Sequence, residues 1–115
     1  MASKPRQATL DLHGHDSKTA VRLALTRVAE AYSNGYESIE LIHGAGDVNE
    51  PVEEGRGRIK WELRRLAAGG AFDRFAQADR TWLKSGSIVL YLRPNPRARR
   101  NAWSAEPART HFRNR

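Results

Sequence analysis

Two short stretches of this 115-residue chain combine side chains that handle protons with backbone suited to anions. In Leu10-Asp11-Leu12-His13 apolar and polar residues alternate, so Leu10 and Leu12 face one way and Asp11 and His13 the other. An imidazole ordinarily titrates near neutrality and serves as general base or acid. A carboxylate two residues earlier on the same face can orient that ring and stabilise its charged form. The second stretch is His43-Gly44-Ala45-Gly46. Gly44 and Gly46 let backbone N–H groups approach a phosphate closely, and His43 adds a second imidazole. Arg58 and Lys60 add charge near the start of a predicted helix, whose N-terminus attracts the same anion.

Each residue also has a plainer role. Asp11 and His13 read as a polar pair closing a strand, and His43 as a strand-end histidine in a structural hydrogen bond. Gly44 and Gly46 read as turn geometry alone. His13-Gly14-His15 resembles a metal pair, but no acidic triad has suitable spacing, so no metal site is expected. Trp61 and Trp82 fit core or interface better than base stacking. Trp103 and Phe112, isolated in an arginine-rich stretch, are the better stacking candidates. The acidic stretch 47–54 is most simply a solvated loop; its charge would repel nucleic acid, which leaves a gating role open.

The elements that must position these groups follow from periodicity. Residues 8–13 form a first strand. Asp16 or Ser17 can cap a helix whose stripe of Val21, Leu25, Val28 and Tyr32, with Ala24 and Ala31 between, runs to about Asn34. Gly35 supplies its C-terminal stop. Residues 38–43 form a second strand, followed by a polar loop from Gly44 to Gly57. A second helix turns Ile59, Leu63 and Leu66 inward and Lys60, Arg64 and Arg65 outward. Gly69-Gly70 stop it. Residues 72–76 are predicted as a third strand and 87–92 as a fourth. Pro94 and Pro96 then end regular structure. The order is β-α-β-α-β-β. Two strands joined through a helix run parallel with a right-handed crossover. Asp11 and His13 therefore meet the His43–Gly46 loop at one sheet edge, where ligands of such sheets bind.

Composition bounds the rest. With no cysteine, disulfides and thiolate metal sites are excluded. Neither a secretory h-region nor a membrane span is expected, so the expectation is a soluble, cytoplasmic protein that does not bind membranes. The net charge is +7 and unevenly placed. Residues 1–92 carry 13 Lys and Arg against 12 Asp and Glu, whereas residues 93–115 carry seven Arg against one Glu. Such a basic end suits phosphate backbones, and guanidinium grips phosphate in bidentate fashion. Arg97, Arg99 and Arg100 are its first candidates. The plainer alternative is a solubilising end. The division is an extension over 1–7, one α/β domain over 8–93, and a flexible basic tail over 94–115.

Leu10-Asp11-Leu12-His13-Gly14 resembles the opening motif of the Smr domain. His43-Gly44-Ala45-Gly46 resembles that family's second motif, which takes His or Thr first, and Gly57-Arg58-Ile59-Lys60 resembles the start of its second helix. The similarity covers roughly residues 8–93, in order and spacing. The departure is the acidic stretch 47–54, longer than in compact members. The resemblance implies a two-layer α/β fold with a mixed four-stranded sheet and two helices, similar to the C-terminal domain of translation initiation factor three. It also implies nucleic-acid binding and, in many members, endonuclease activity on DNA or RNA. Some relatives act on messenger RNA at stalled ribosomes; others are joined to mismatch-repair-like ATPases. Here the domain is expected to stand free of such an ATPase. Two function classes follow: an endonuclease using Asp11, His13 and His43, or a non-catalytic nucleic-acid or ribosome adaptor. No cofactor is expected, with a divalent cation such as magnesium left open, as are oligomeric state and the choice between DNA and RNA.

Overall fold

The structure is a computed structural model and describes residues 6–44 and 57–103. Ala45, Gly46, the acidic stretch 47–54 and Phe112 lie outside the described residues. Four strands and two helices follow in the order β1 (Gln7–Asp11), α1 (Ser17–Ser33), β2 (Ser38–Ile42), α2 (Arg58–Ala68), β3 (Trp82–Leu83) and β4 (Ser87–Tyr91), with a 3-10 turn at Ala78–Arg80. The sheet order is β1-β2-β4-β3. β1 and β2 are parallel, with Asp11 opposite Ile42, and the other two pairings are antiparallel. The chain is thus a mixed four-stranded α/β sheet with two helices. No helix among the described residues is long and apolar enough to cross a membrane.

The alternation read from β1 sets its two faces. Ala8 and Leu10 are fully buried and join Ile39, Leu41, Ile88 and Leu90 in one core with Val28 and Leu63 of the helices. Gln7, Thr9 and Asp11 point to the other, more open face. Asp16 caps α1 by accepting from the Thr19 N–H at 3.1 Å, as its residue type favours. The stripe buried along α1 is narrower than the apolar spacing implies. Ala20, Ala24, Val28 and Ala31 are fully buried, whereas Leu25 is exposed. Small side chains let the helix approach the sheet closely, and the larger leucine lies on the outer side of that contact.

The third strand is displaced from its predicted place. Residues 71–75 form consecutive turns, held by Asp73 N–H to the Gly70 carbonyl (3.1 Å) and Phe75 N–H to the Phe72 carbonyl (2.9 Å). Phe72 fills the core from a turn, and only Ala76 reaches the sheet, as an isolated bridge to Leu92. The edge strand is Trp82–Leu83, returned to β4 by a hairpin closed by Lys84 N–H on the Ser87 carbonyl (2.8 Å).

Beyond the domain drawn over 8–93, residues 95–103 run as a strap with contacts to it. The Asn95 amide donates to the Tyr32 carbonyl (2.9 Å) and the Arg99 N–H to the Ser33 carbonyl (2.9 Å). The Trp103 indole N–H donates to the Thr9 carbonyl (3.0 Å) on the unpaired side of β1, the sheet's edge strand. Its ring lies edge-on to Tyr36 at 5.5 Å and under the Arg27 guanidinium at 4.0 Å. Trp103 is therefore a packing residue that covers a strand edge rather than a free stacking platform.

Candidate active site

Leu12 N–H donates to the Ile42 carbonyl at 2.7 Å, the last rung joining β1 to β2. Both sequence stretches follow the paired ends of β1 and β2, where Asp11 lies opposite Ile42, and so end at one edge of the sheet. β1 stops there because Gly14 turns the chain with φ +88°. A Cβ at Gly14 would meet nothing within 4 Å, so conformation, not space, requires a glycine.

Asp11 and His13 form one unit. The Asp11 Oδ1 accepts both the His13 backbone N–H (3.1 Å) and the His13 ring at Nδ1. A carboxylate that accepts from Nδ1–H leaves Nε2 as the basic nitrogen. The His13 side chain is 63% exposed and that of Asp11 31%. The imidazole therefore stands in solvent with its tautomer and direction fixed. His15, the other half of the apparent metal pair, is buried instead of sharing that surface. Among the described residues, no three His, Asp or Glu side chains converge as a metal site.

His43 occupies a different environment. It is buried, its Nδ1–H donates to the Gly44 carbonyl, and its Nε2 has no hydrogen-bond partner among the described residues. Burial holds its pKa below the usual histidine value; the Gly44 carbonyl opposes this, while the nearby Lys60 and Arg64 charges add to it. His43 is thus a neutral ring inside the edge, and His13 is the imidazole a substrate can reach. Gly44 is likewise engaged. Its N–H and that of His43 both donate to the Gly86 carbonyl, at 3.1 and 2.9 Å. The expected cradling of a phosphate by the Gly44 N–H therefore gives way to turn geometry, because that donor is spent on the β3–β4 hairpin.

The start of α2 lies at the same edge. Gly57 precedes it and supplies no side-chain cap. A groove between the N-termini of the two helices is lined by Asp16, Ser17, Lys18, Val21, Arg58 and Glu62. Arg58 pairs with Glu62 at 2.8 Å and lies over the Trp61 ring at 5.2 Å, with Arg65 also over it at 4.9 Å. Lys60, expected on the outer face, is buried beside Ile59, so it acts on His43 through its field and not as a surface contact. Charge periodicity alone cannot show this, since a long lysine stem buries readily along apolar surface.

Arg97, Arg99 and Arg100 are not part of this edge. Arg99 is tied to Ser33 at the far end of α1, and all three are exposed. Sequence reasoning also missed a polar network on the open sheet face. Glu40 accepts from the Ser87 hydroxyl at 2.5 Å and from Lys84 Nζ at 3.3 Å. The Ser87 bond, with help from Lys84, holds its carboxyl below the usual range. Its signal was a lone charged residue in the strand Ser38–Ile42.

The chain matches the family model of the Smr domain over residues 10–93. No curated protein and no solved structure matches it.

Proposed function

Because the chain belongs to the Smr domain family, a nuclease-like family associated with nucleic acid, we propose that it is an endonuclease cleaving RNA at the Asp11–His13 edge. The observation that carries this is the exposed His13 ring, engaged at Nδ1 by Asp11. In the proposed step, His13 Nε2 takes the proton of a 2′-hydroxyl, and that oxygen attacks the adjacent phosphorus. The bond from phosphorus to the 5′ oxygen breaks, and the leaving oxygen takes a proton from water. The products are a 2′,3′-cyclic phosphate and a 5′-hydroxyl. Asp11 positions the ring and stabilises the imidazolium as it forms, the role an orienting carboxylate plays beside a catalytic histidine. The first turn of α2, with Arg58, faces the phosphate charge. His43 supports the turn from inside. Among the described residues the Asp11–His13 pair offers one carboxylate and one imidazole, which suits proton transfer better than two-metal chemistry, which needs several carboxylates held close together.

The test is incubation with end-labelled single-stranded RNA, with and without EDTA, alongside the same RNA carrying one 2′-deoxy sugar at the cut position. Cleavage that survives EDTA, leaves a cyclic phosphate and is blocked by the deoxy sugar supports the mechanism. Strict dependence on added magnesium, or equal cleavage of the deoxy substrate, moves the reading to a metal-assisted nuclease with Asp11 as a ligand. Binding without cleavage under every condition leaves the adaptor.

A further inference from the structure

The charges of the described residues divide by pole. At the carboxyl edge of β1 and β2, acidic and basic groups nearly cancel. Asp11 lies beside His13, Asp16 caps α1, Arg58 is paired with Glu62 and Lys60 is buried. A phosphate arriving there meets the Asp11 carboxylate, so this edge by itself is a poor polyanion trap. The amino end of the same strands is different. Arg6 donates to the Asn34 carbonyl at 2.8 Å and to the Asn101 carbonyl at 3.3 Å, and its guanidinium lies 4.0 Å from the Tyr36 ring centre. Arg93, Arg97, Arg99 and Arg100 follow on the strap, and residues 93–103 contain no acidic residue. Of the nearby carboxylates, Glu30 is taken by Arg27 at 2.6 Å, Glu37 lines the adjoining cleft, and Asp73 lies beside Arg93, whose Nε donates to the Asp73 carbonyl at 2.9 Å.

The backbone that carries Arg97 and Arg99 is held in place. The Arg97 N–H donates to Asn95 Oδ1 (3.0 Å), the Ala98 N–H to the Asn95 carbonyl (3.3 Å) and the Arg99 N–H to Ser33. Trp103 fastens the end of the strap to β1. Holding several like charges on an ordered segment costs repulsion that a mobile tail would relieve. A cleft beside the strap adds Gln77, Arg80, Tyr91, Arg93 and Asn95, which offer cations and a phenol ring to a nucleotide. α1 separates the two poles; its 17 residues span about 25 Å at ~1.5 Å per residue.

We propose that the strap arginines Arg97, Arg99 and Arg100, with Arg6 and Arg93, form a second, fixed backbone-binding site for the same RNA, which must span both poles to be bound well. This rests on the nucleic-acid reading above and adds to it a length requirement. A stacked strand rising ~3.4 Å per nucleotide needs roughly seven steps to cross that distance. Shorter RNA meets one pole only.

The test is fluorescence anisotropy of the full chain, carrying His13→Ala to prevent turnover, with labelled RNA of about four and about twenty nucleotides. The longer RNA is expected to bind far more tightly. Replacing Arg97, Arg99 and Arg100 together by alanine should weaken it about tenfold or more and reduce the log–log salt slope by about 2, at ~0.7 per phosphate on single strands. Trp103→Ala keeps every charge but releases the strap, and should also shrink the advantage of the longer RNA. An unchanged salt slope in the triple variant overturns the proposal, as does an undiminished length advantage with the strap released. If the parent chain binds neither RNA, the nucleic-acid reading itself fails. If it binds both equally, only the spanning site fails.

Discussion

Gly35 separates a packed strap from a loose tail. Its φ is +78°, and a Cβ built there would sit 2.5 Å from the Ala98 Cβ. Gly35→Ala therefore carries two costs. An L side chain in left-handed backbone costs about 1–2 kcal/mol. Carbon atoms prefer separations near 3.5–4.0 Å, so the strap must also retreat by about 1 Å, an overpacking of about 1–3 kcal/mol. Gly14→Ala supplies the control. Its φ is +88°, but its Cβ would meet nothing, so it carries the conformational cost alone. Urea unfolding should show Gly35→Ala losing about 2–5 kcal/mol and Gly14→Ala about 1–2. Ala98→Gly added to Gly35→Ala should recover the steric share, a coupling that a double-mutant cycle isolates. Hydrogen exchange offers a local readout. The Arg99 N–H, donor to Ser33, should lose protection in Gly35→Ala and keep it in Gly14→Ala. Equal losses for the two glycine variants, with no coupling to Ala98, would refute the packed strap.

Other perturbations read other parts of the molecule. His13→Ala should abolish RNA cleavage while leaving the melting temperature within a degree or two, because a side chain 63% exposed contributes little packing; undiminished cleavage would remove His13 from the mechanism. The depressed pKa of buried His43 makes a signed prediction. The unfolded chain holds the proton more readily than the folded one, so stability is full above about pH 6.5 and falls as pH drops through and below that value. Chemical unfolding from pH 7.5 to 5 should show this decline, and His43→Asn should flatten it. Ser87→Ala removes the main donor to half-buried Glu40 and should cost about 1.5–3 kcal/mol at pH 7. The depressed Glu40 pKa places that contribution above the normal carboxylate range, so the gap between variant and parent should narrow on acidification to about pH 3. A gap that does not change with pH would locate the loss elsewhere.

The sequence by itself determined the parts of this protein that depend on near neighbours. Period-two alternation set β1 and put Asp11 on the face opposite Leu10, and β2 and β4 also lie where the sequence placed strands. The Asp16 cap and the Gly35 stop bounded α1 within a residue, because a cap is satisfied by backbone three positions away. The β-α-β order fixed a parallel pair, and with it the placing of the carboxyl ends of β1 and β2 at one edge. Tertiary structure decided what depends on distant partners. Trp103 finds its acceptor on Thr9 and its ring neighbours on Tyr36 and Arg27, and an irregular segment with no apolar period gives no local sign of this. The edge strand formed at Trp82–Leu83 and not at 72–76, because Phe72 could reach the core from a turn and β4 needed only a short partner. His43 and Lys60 share residue types with exposed, reactive groups, yet both are buried in the folded chain. Residue type and spacing state which chemistry a side chain can perform; access to solvent, which decides whether it performs it, depends on segments that pack only once the chain has folded.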